Sequence, residues 1–178
     1  MLTFLTMSGE PTLNEALSGD EVEGEAAGLP ITIRLVGTAM LGGVVGMVLM
    51  LPLLVGAPAA LGLFRTAPVV AFSSVGSFFG LQPSLALGVA IFVLGGSTLL
   101  PIQFLVVGAF LPPESPRYLR GVSFMAAYWF GFLFAFWPGG GLLTSAIFVV
   151  VSLVSHGIYG VSLGYLLDRW AEIPQHEV

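Results

Sequence analysis

Residues Ser152 to Tyr165 read S-L-V-S-H-G-I-Y-G-V-S-L-G-Y. They lie inside the last long apolar run and hold the one ionisable side chain deep in any such run, His156. Steps of four from Ser152 reach His156, Gly160 and Gly164, which share one narrow stripe on an α-helix. Small residues around one imidazole let a neighbouring helix come close and offer it a single polar contact. The stretch therefore predicts a packing seam in a helical membrane protein.

Composition supports that solvent. Of 178 residues, 56% are hydrophobic and 8% charged, with a mean hydropathy of +0.99. A soluble domain carries about a quarter charged residues, so a water-facing surface cannot be assembled here. There is no cysteine, which excludes disulfides, thiolate metal sites and a cysteine nucleophile. All five basic residues are arginine against ten acids. A lysine-free, acidic chain fits a salty cytoplasm, and the lack of a basic patch argues against a nucleic-acid partner.

The apolar runs predict an all-α, four-span bundle over residues 29–170, with crossings near 31–55, 84–110, 121–137 and 142–167. A shorter apolar stretch near 67–80 predicts an interfacial or re-entrant helix, with a fifth crossing left open. Its serines, Ser73, Ser74 and Ser77, are expected to share one side. Residues 1–28 hold six of the ten acids, Glu10, Glu15, Asp20, Glu21, Glu23 and Glu25, and read as a disordered cytoplasmic tail. No signal peptide is expected, and the start is open between Met1 and Met7. Residues 171–178 read as a short polar tail.

Within the spans, Gly42 and Gly46 form G-x-x-x-G, a second close-packing face. Pro52 is expected to bend or end the first helix, and Pro101 to kink the second. The carbonyl freed by Pro101 then needs a donor, with nearby hydroxyls or Gln103 at hand. The third span is crowded with aromatic residues. Tyr128 and Trp129 fall mid-span, so their polar ends are expected to find internal partners. Arg34, Arg117, Arg120, Arg169 and Trp170 read as interface anchors. With four spans, four arginines lie at one end and Arg65 alone at the other, which places both termini in the cytoplasm of a cell-membrane protein.

Catalysis in a membrane needs converging polar groups, and none is expected. A rhomboid-like hydrolase requires a serine facing His156 and a nucleophile elbow; Ser97, Ser145, Ser152 and Ser155 are available, but no elbow is expected. Metal transport requires clustered ligands, which the spans lack. His156, Gln103 and Tyr128 are the candidates for contact with a cofactor, though none is required. The first expectation for His156 is a helix-to-helix hydrogen bond to Tyr128, Gln103 or Thr38.

The segment His156-Gly157-Ile158-Tyr159-Gly160-Val161-Ser162-Leu163-Gly164 resembles the H-x-x-Y-G-x-x-x-G ending of a group of small, uncharacterised four-helix membrane proteins of haloarchaea. The stretch from Gly37 to Met50, G-T-A-M-L-G-G-V-V-G-M-V-L-M, resembles that group's opening. Some of its members are encoded beside haem-copper terminal oxidases. The resemblance implies a non-catalytic accessory or structural subunit of a respiratory complex, with other membrane subunits or a second copy as partner. Two alternatives stay open: a small homo-oligomeric transporter or channel with a water-lined path past Gln103 and His156, and a haem- or quinone-binding redox protein.

Overall fold

Four helices are long and apolar enough to cross a membrane: Ile33–Ala60, Leu85–Phe110, Arg117–Phe136 and Leu142–Trp170. Their mean hydropathy runs from 1.4 to 2.2 over 18-residue windows. The shortest, at 20 residues, still matches the ~30 Å hydrocarbon at 1.5 Å per residue. The computed structural model describes residues 32–171; among them there is no strand. The protein is an all-α membrane bundle of four spans. The acidic segment 1–28 and the polar tail from 172 onward lie outside the described residues.

Sequence marks where the helices start. Thr32 caps the first span, its side chain accepting from Leu35 N at 3.1 Å, and Ser84 caps the second by accepting from Leu87 N at 3.2 Å. The first span departs from expectation at Pro52. The helix neither ends nor breaks there; it widens into a π-turn over Pro52–Gly56 and continues to Ala60. A wider turn accommodates the missing proline N–H without halting the chain. The second span does the same over Gly95–Leu99, one residue before Pro101.

Between these two spans, Ala67–Phe72 is helical and Ser73–Phe79 continues it as a tighter 3₁₀ coil. Together the 13 residues Ala67–Phe79 are too short to cross. Gly80 ends the coil at φ +73°, a left-handed conformation natural to glycine. The segment leans on the second span, where Gly88 meets the Val69 backbone, and Phe72 packs on Phe136 at 4.8 Å between ring centroids. Its serines do not share a side. Ser73 is fully buried, donating to Val70 O at 2.6 Å and accepting from Ser84 N at 2.9 Å, whereas Ser74 and Ser77 are exposed.

The third and fourth spans are joined by Trp137–Gly141, a turn that needs positive φ at Gly139 (64°) and Gly140 (95°). Arg34 donates to Trp170 O at 3.1 Å, so the first span begins beside the end of the fourth. The core draws on all four spans, around Ala39, Met47, Met50, Phe104, Phe124, Met125, Tyr159 and Leu163.

Candidate functional site

The first span approaches the other helices through consecutive small residues. A Cβ at Gly42 would lie 3.1 Å from Leu163 Cδ1, and one at Gly46 would lie 2.7 Å from Tyr159 Cδ2. One at Gly43 would overlap the Pro101 ring and stand 2.9 Å from Gly96 O. No larger residue leaves room for these contacts, so the glycines set the separation of the helices. One turn on along the same span, Met47 fills the space over Gly96.

At this crossing Tyr159, fully buried, donates its hydroxyl to Gly96 O. The reason lies in the π-turn. In its i→i−5 pattern, Leu100 N reaches Gly95 O, and the next donor in sequence would be the N–H of residue 101. Residue 101 is proline and has none. Gly96 O is thus the carbonyl that proline leaves bare, and in hydrocarbon a bare carbonyl costs several kcal/mol. The expected donors were nearby hydroxyls or Gln103. The fourth span supplies the donor instead, and Thr98 Oγ1 bonds Leu94 O at 2.6 Å.

The fourth-span stripe is buried along its whole length: Ser152, His156, Gly160 and Gly164, with Ser155 beside it. Its two glycines face the start of the third span. A Cβ at Gly160 would stand 2.5 Å from Gly121 O, and one at Gly164 would overlap Tyr118 O. Further along, Ser152 Oγ accepts from Trp129 Nε1 at 3.0 Å and donates to Val149 O at 3.1 Å. Tyr128 donates to Gln103 Oε1 at 2.5 Å, joining the third span to the second. Both mid-span aromatic residues therefore hold internal partners.

His156 does not join Tyr128, Gln103 or Thr38. Its Nδ1 stands 2.8 Å from Ser152 O on its own helix. A carbonyl can only accept, so that nitrogen carries a proton. The ring packs on Phe132, 4.8 Å between centroids, and is 4% exposed. An i−4 bond of this kind satisfies Nδ1 within the helix itself.

No serine hydroxyl among the described residues bonds the histidine. Ser155 Oγ donates to Val151 O at 2.7 Å, and Ser152 is occupied as described. The letters G-x-S-x-G do occur, at Gly160-Val161-Ser162-Leu163-Gly164, contrary to expectation. They sit in mid-helix, where Ser162 Oγ donates to Ile158 O at 2.8 Å. A nucleophile elbow needs a sharp strand-to-helix turn, and none is present in that helix. Among the described residues no three His, Asp or Glu side chains come together as metal ligands.

Arg120 differs from the expected interface anchor. It is 7% exposed, and it donates from Nε to Pro113 O at 3.0 Å and from Nη1 to Ala109 O at 3.3 Å. Ser123 Oγ reaches Pro112 O at 2.6 Å. The loop before the third span contains three prolines and is short of donors, so side chains of the helix that follows supply them. Arg169 and Trp170 are exposed, and Arg117 opens the short turn Arg117–Leu119.

At the Arg65 end the helices separate. A cavity of about 640 Å³ lies there, walled by all four spans and the short helix between the first two. Phe92, Phe132, Phe136 and Phe148 line it, as do Val48 and Val89. Arg65 is the one charged side chain in its wall and Thr144 the one other polar side chain. Arg65 also borders a second hollow of about 510 Å³, together with Trp137 and Gly139. Phe132 lines the larger cavity and packs on His156. No periodicity or spacing in the sequence announced this space.

No curated protein and no solved structure matches the chain. The model of a family of unknown function, DUF6789, matches residues 33–178, all four spans included, and the chain belongs to that family.

Proposed function

We propose that the protein is a non-catalytic accessory subunit that packs into a larger membrane complex, respiratory in kind. The observation that carries this reading is where the deep polar groups go. Tyr159, Trp129, Ser152, Gln103 and Tyr128 are held in bonds between helices of this chain, and His156 is bonded within its own helix. No buried side-chain nitrogen or oxygen among the described residues lacks a partner. Groups tied in such short, separate links fix helix positions and do not form the chain of ionisable groups that a proton relay needs.

The outer surface supports the same reading. Phe130, Phe134 and Phe110 are 58%, 88% and 68% exposed. In a membrane such a surface can be covered by lipid or by the apolar face of another subunit, and the subunit reading assigns it the second. The resemblance to proteins encoded beside terminal oxidases gives the respiratory direction. The arginine asymmetry, with Arg34, Arg117, Arg120 and Arg169 at one end, supports cytoplasmic termini.

Gentle extraction from native membranes, followed by native electrophoresis and mass spectrometry of the excised band, tests this. Co-migration with larger redox subunits is the expected result. Recovery of the chain alone, or only with copies of itself, contradicts the proposal.

A further inference from the structure

We propose that the cavity at the Arg65 end binds an anionic membrane lipid, one hydrocarbon tail inside and the phosphate on Arg65. This goes beyond the subunit reading and does not depend on it. The cavity's volume, about 640 Å³, lies within the range of ligand pockets, roughly 300–1,000 Å³. Its wall is valine, leucine, isoleucine, proline, phenylalanine and one glycine, Gly56, apart from Arg65 and Thr144. A lining of this kind is dry and accepts a chain, not a polar solute.

The charge complements a phosphate. Arg65 follows the end of the first span, stands exposed, and borders both the cavity and the adjoining hollow beside Trp137. It makes no hydrogen bond or ion pair with any described residue. A guanidinium offers a planar fork of donors that matches a phosphate in two parallel bonds. Trp137, 48% exposed in the same hollow, is an aromatic side chain of the type that sits at headgroup level. A tail between the spans and a headgroup over Arg65 and Trp137 occupies both spaces with one molecule.

The full chain in detergent, titrated with phosphatidylglycerol or phosphatidylcholine of identical tails and read by native mass spectrometry, tests the proposal. Phosphatidylglycerol is expected to be retained about tenfold more tightly. Arg65→Gln should bring that preference to about one while phosphatidylcholine retention holds. Arg169→Gln, at the other end of the bundle, should leave the preference in place. The double variant Val89→Phe/Thr144→Phe should lower retention of both lipids.

Four outcomes overturn the proposal. One is an unchanged preference in Arg65→Gln. The second is full retention of both lipids in the double variant. The third is displacement of phosphatidylglycerol by glycerophosphate alone, which marks an anion site without a tail site. The fourth is displacement by a neutral quinone at equal concentration, which marks a pocket indifferent to charge.

Discussion

The two ends of the bundle are built differently. Where the third span begins, Gly121 lies against Gly160, and Gly164 against Tyr118, with backbone on backbone. Roughly three turns further along, the same two helices carry Phe132, Phe136 and Phe148 around a cavity of about 640 Å³. Two spans thus meet through glycine at one end and through phenylalanine at the other. Small residues permit close approach, whereas rings stacked on rings prop the helices open, as Phe132 does with Phe136 at 4.6 Å and with Phe148 at 5.6 Å. Residue size along the seam therefore grades the bundle from closed to hollow.

The largest effect is expected where the helices touch. Gly121→Leu drives a side chain into Gly160, and the backbone cannot yield without separating the spans. The expected loss is about 3 kcal/mol or more, read by unfolding in mixed micelles or by failure to recover folded protein. A stable Gly121→Leu protein would show that the closed end tolerates opening.

Next comes Tyr159→Phe, which strips the donor from Gly96 O and is expected to cost about 1.5 kcal/mol. Trp129→Phe, which frees Ser152, should cost about 1 kcal/mol, and Gln103→Leu about 0.6 kcal/mol, because Tyr128 is 37% exposed and less dependent on its partner. A reversed order among these three would mean that burial does not grade the interhelical bonds. The smallest effect is expected at the hollow end. Val89→Phe adds a ring where space exists and should change stability by less than about 0.5 kcal/mol. A cost near that of Gly121→Leu would mean that the cavity is not open to added volume.

How much of this was legible in the sequence follows from range. The four spans were readable because length and hydropathy are local properties, and the short helix near 67–80 because its apolar run stops early. Mid-span Tyr128 and Trp129 announced a need for partners, since their polar atoms have no water to meet. Which partners they meet depends on the register between helices, and no local pattern encodes that. His156 shows the limit most clearly. Its spacing suggested a bond across the bundle, but a carbonyl one turn back was nearer. Arg120 shows another, because an arginine at a helix start reads as an anchor until the donor-poor loop folds over it. The cavity left almost no mark, since unfilled space has no pattern of its own. The one signal was Arg65, a charge isolated at the end opposite the other four.

One rule links Pro101, Tyr159, Arg120 and the proline loop: a carbonyl stranded by proline draws a donor from elsewhere in the fold. A double-mutant cycle on Tyr159→Phe and Pro101→Ala, read as unfolding free energy in mixed micelles, tests it most directly. Alanine at 101 restores an N–H, so Gly96 O regains a donor within its own helix. Tyr159→Phe is expected to cost about 1.5 kcal/mol beside Pro101 and less than half of that beside alanine. An equal cost in both backgrounds would contradict the rule, because it would mean that Gly96 O depends on Tyr159 whether or not a proline stands at 101.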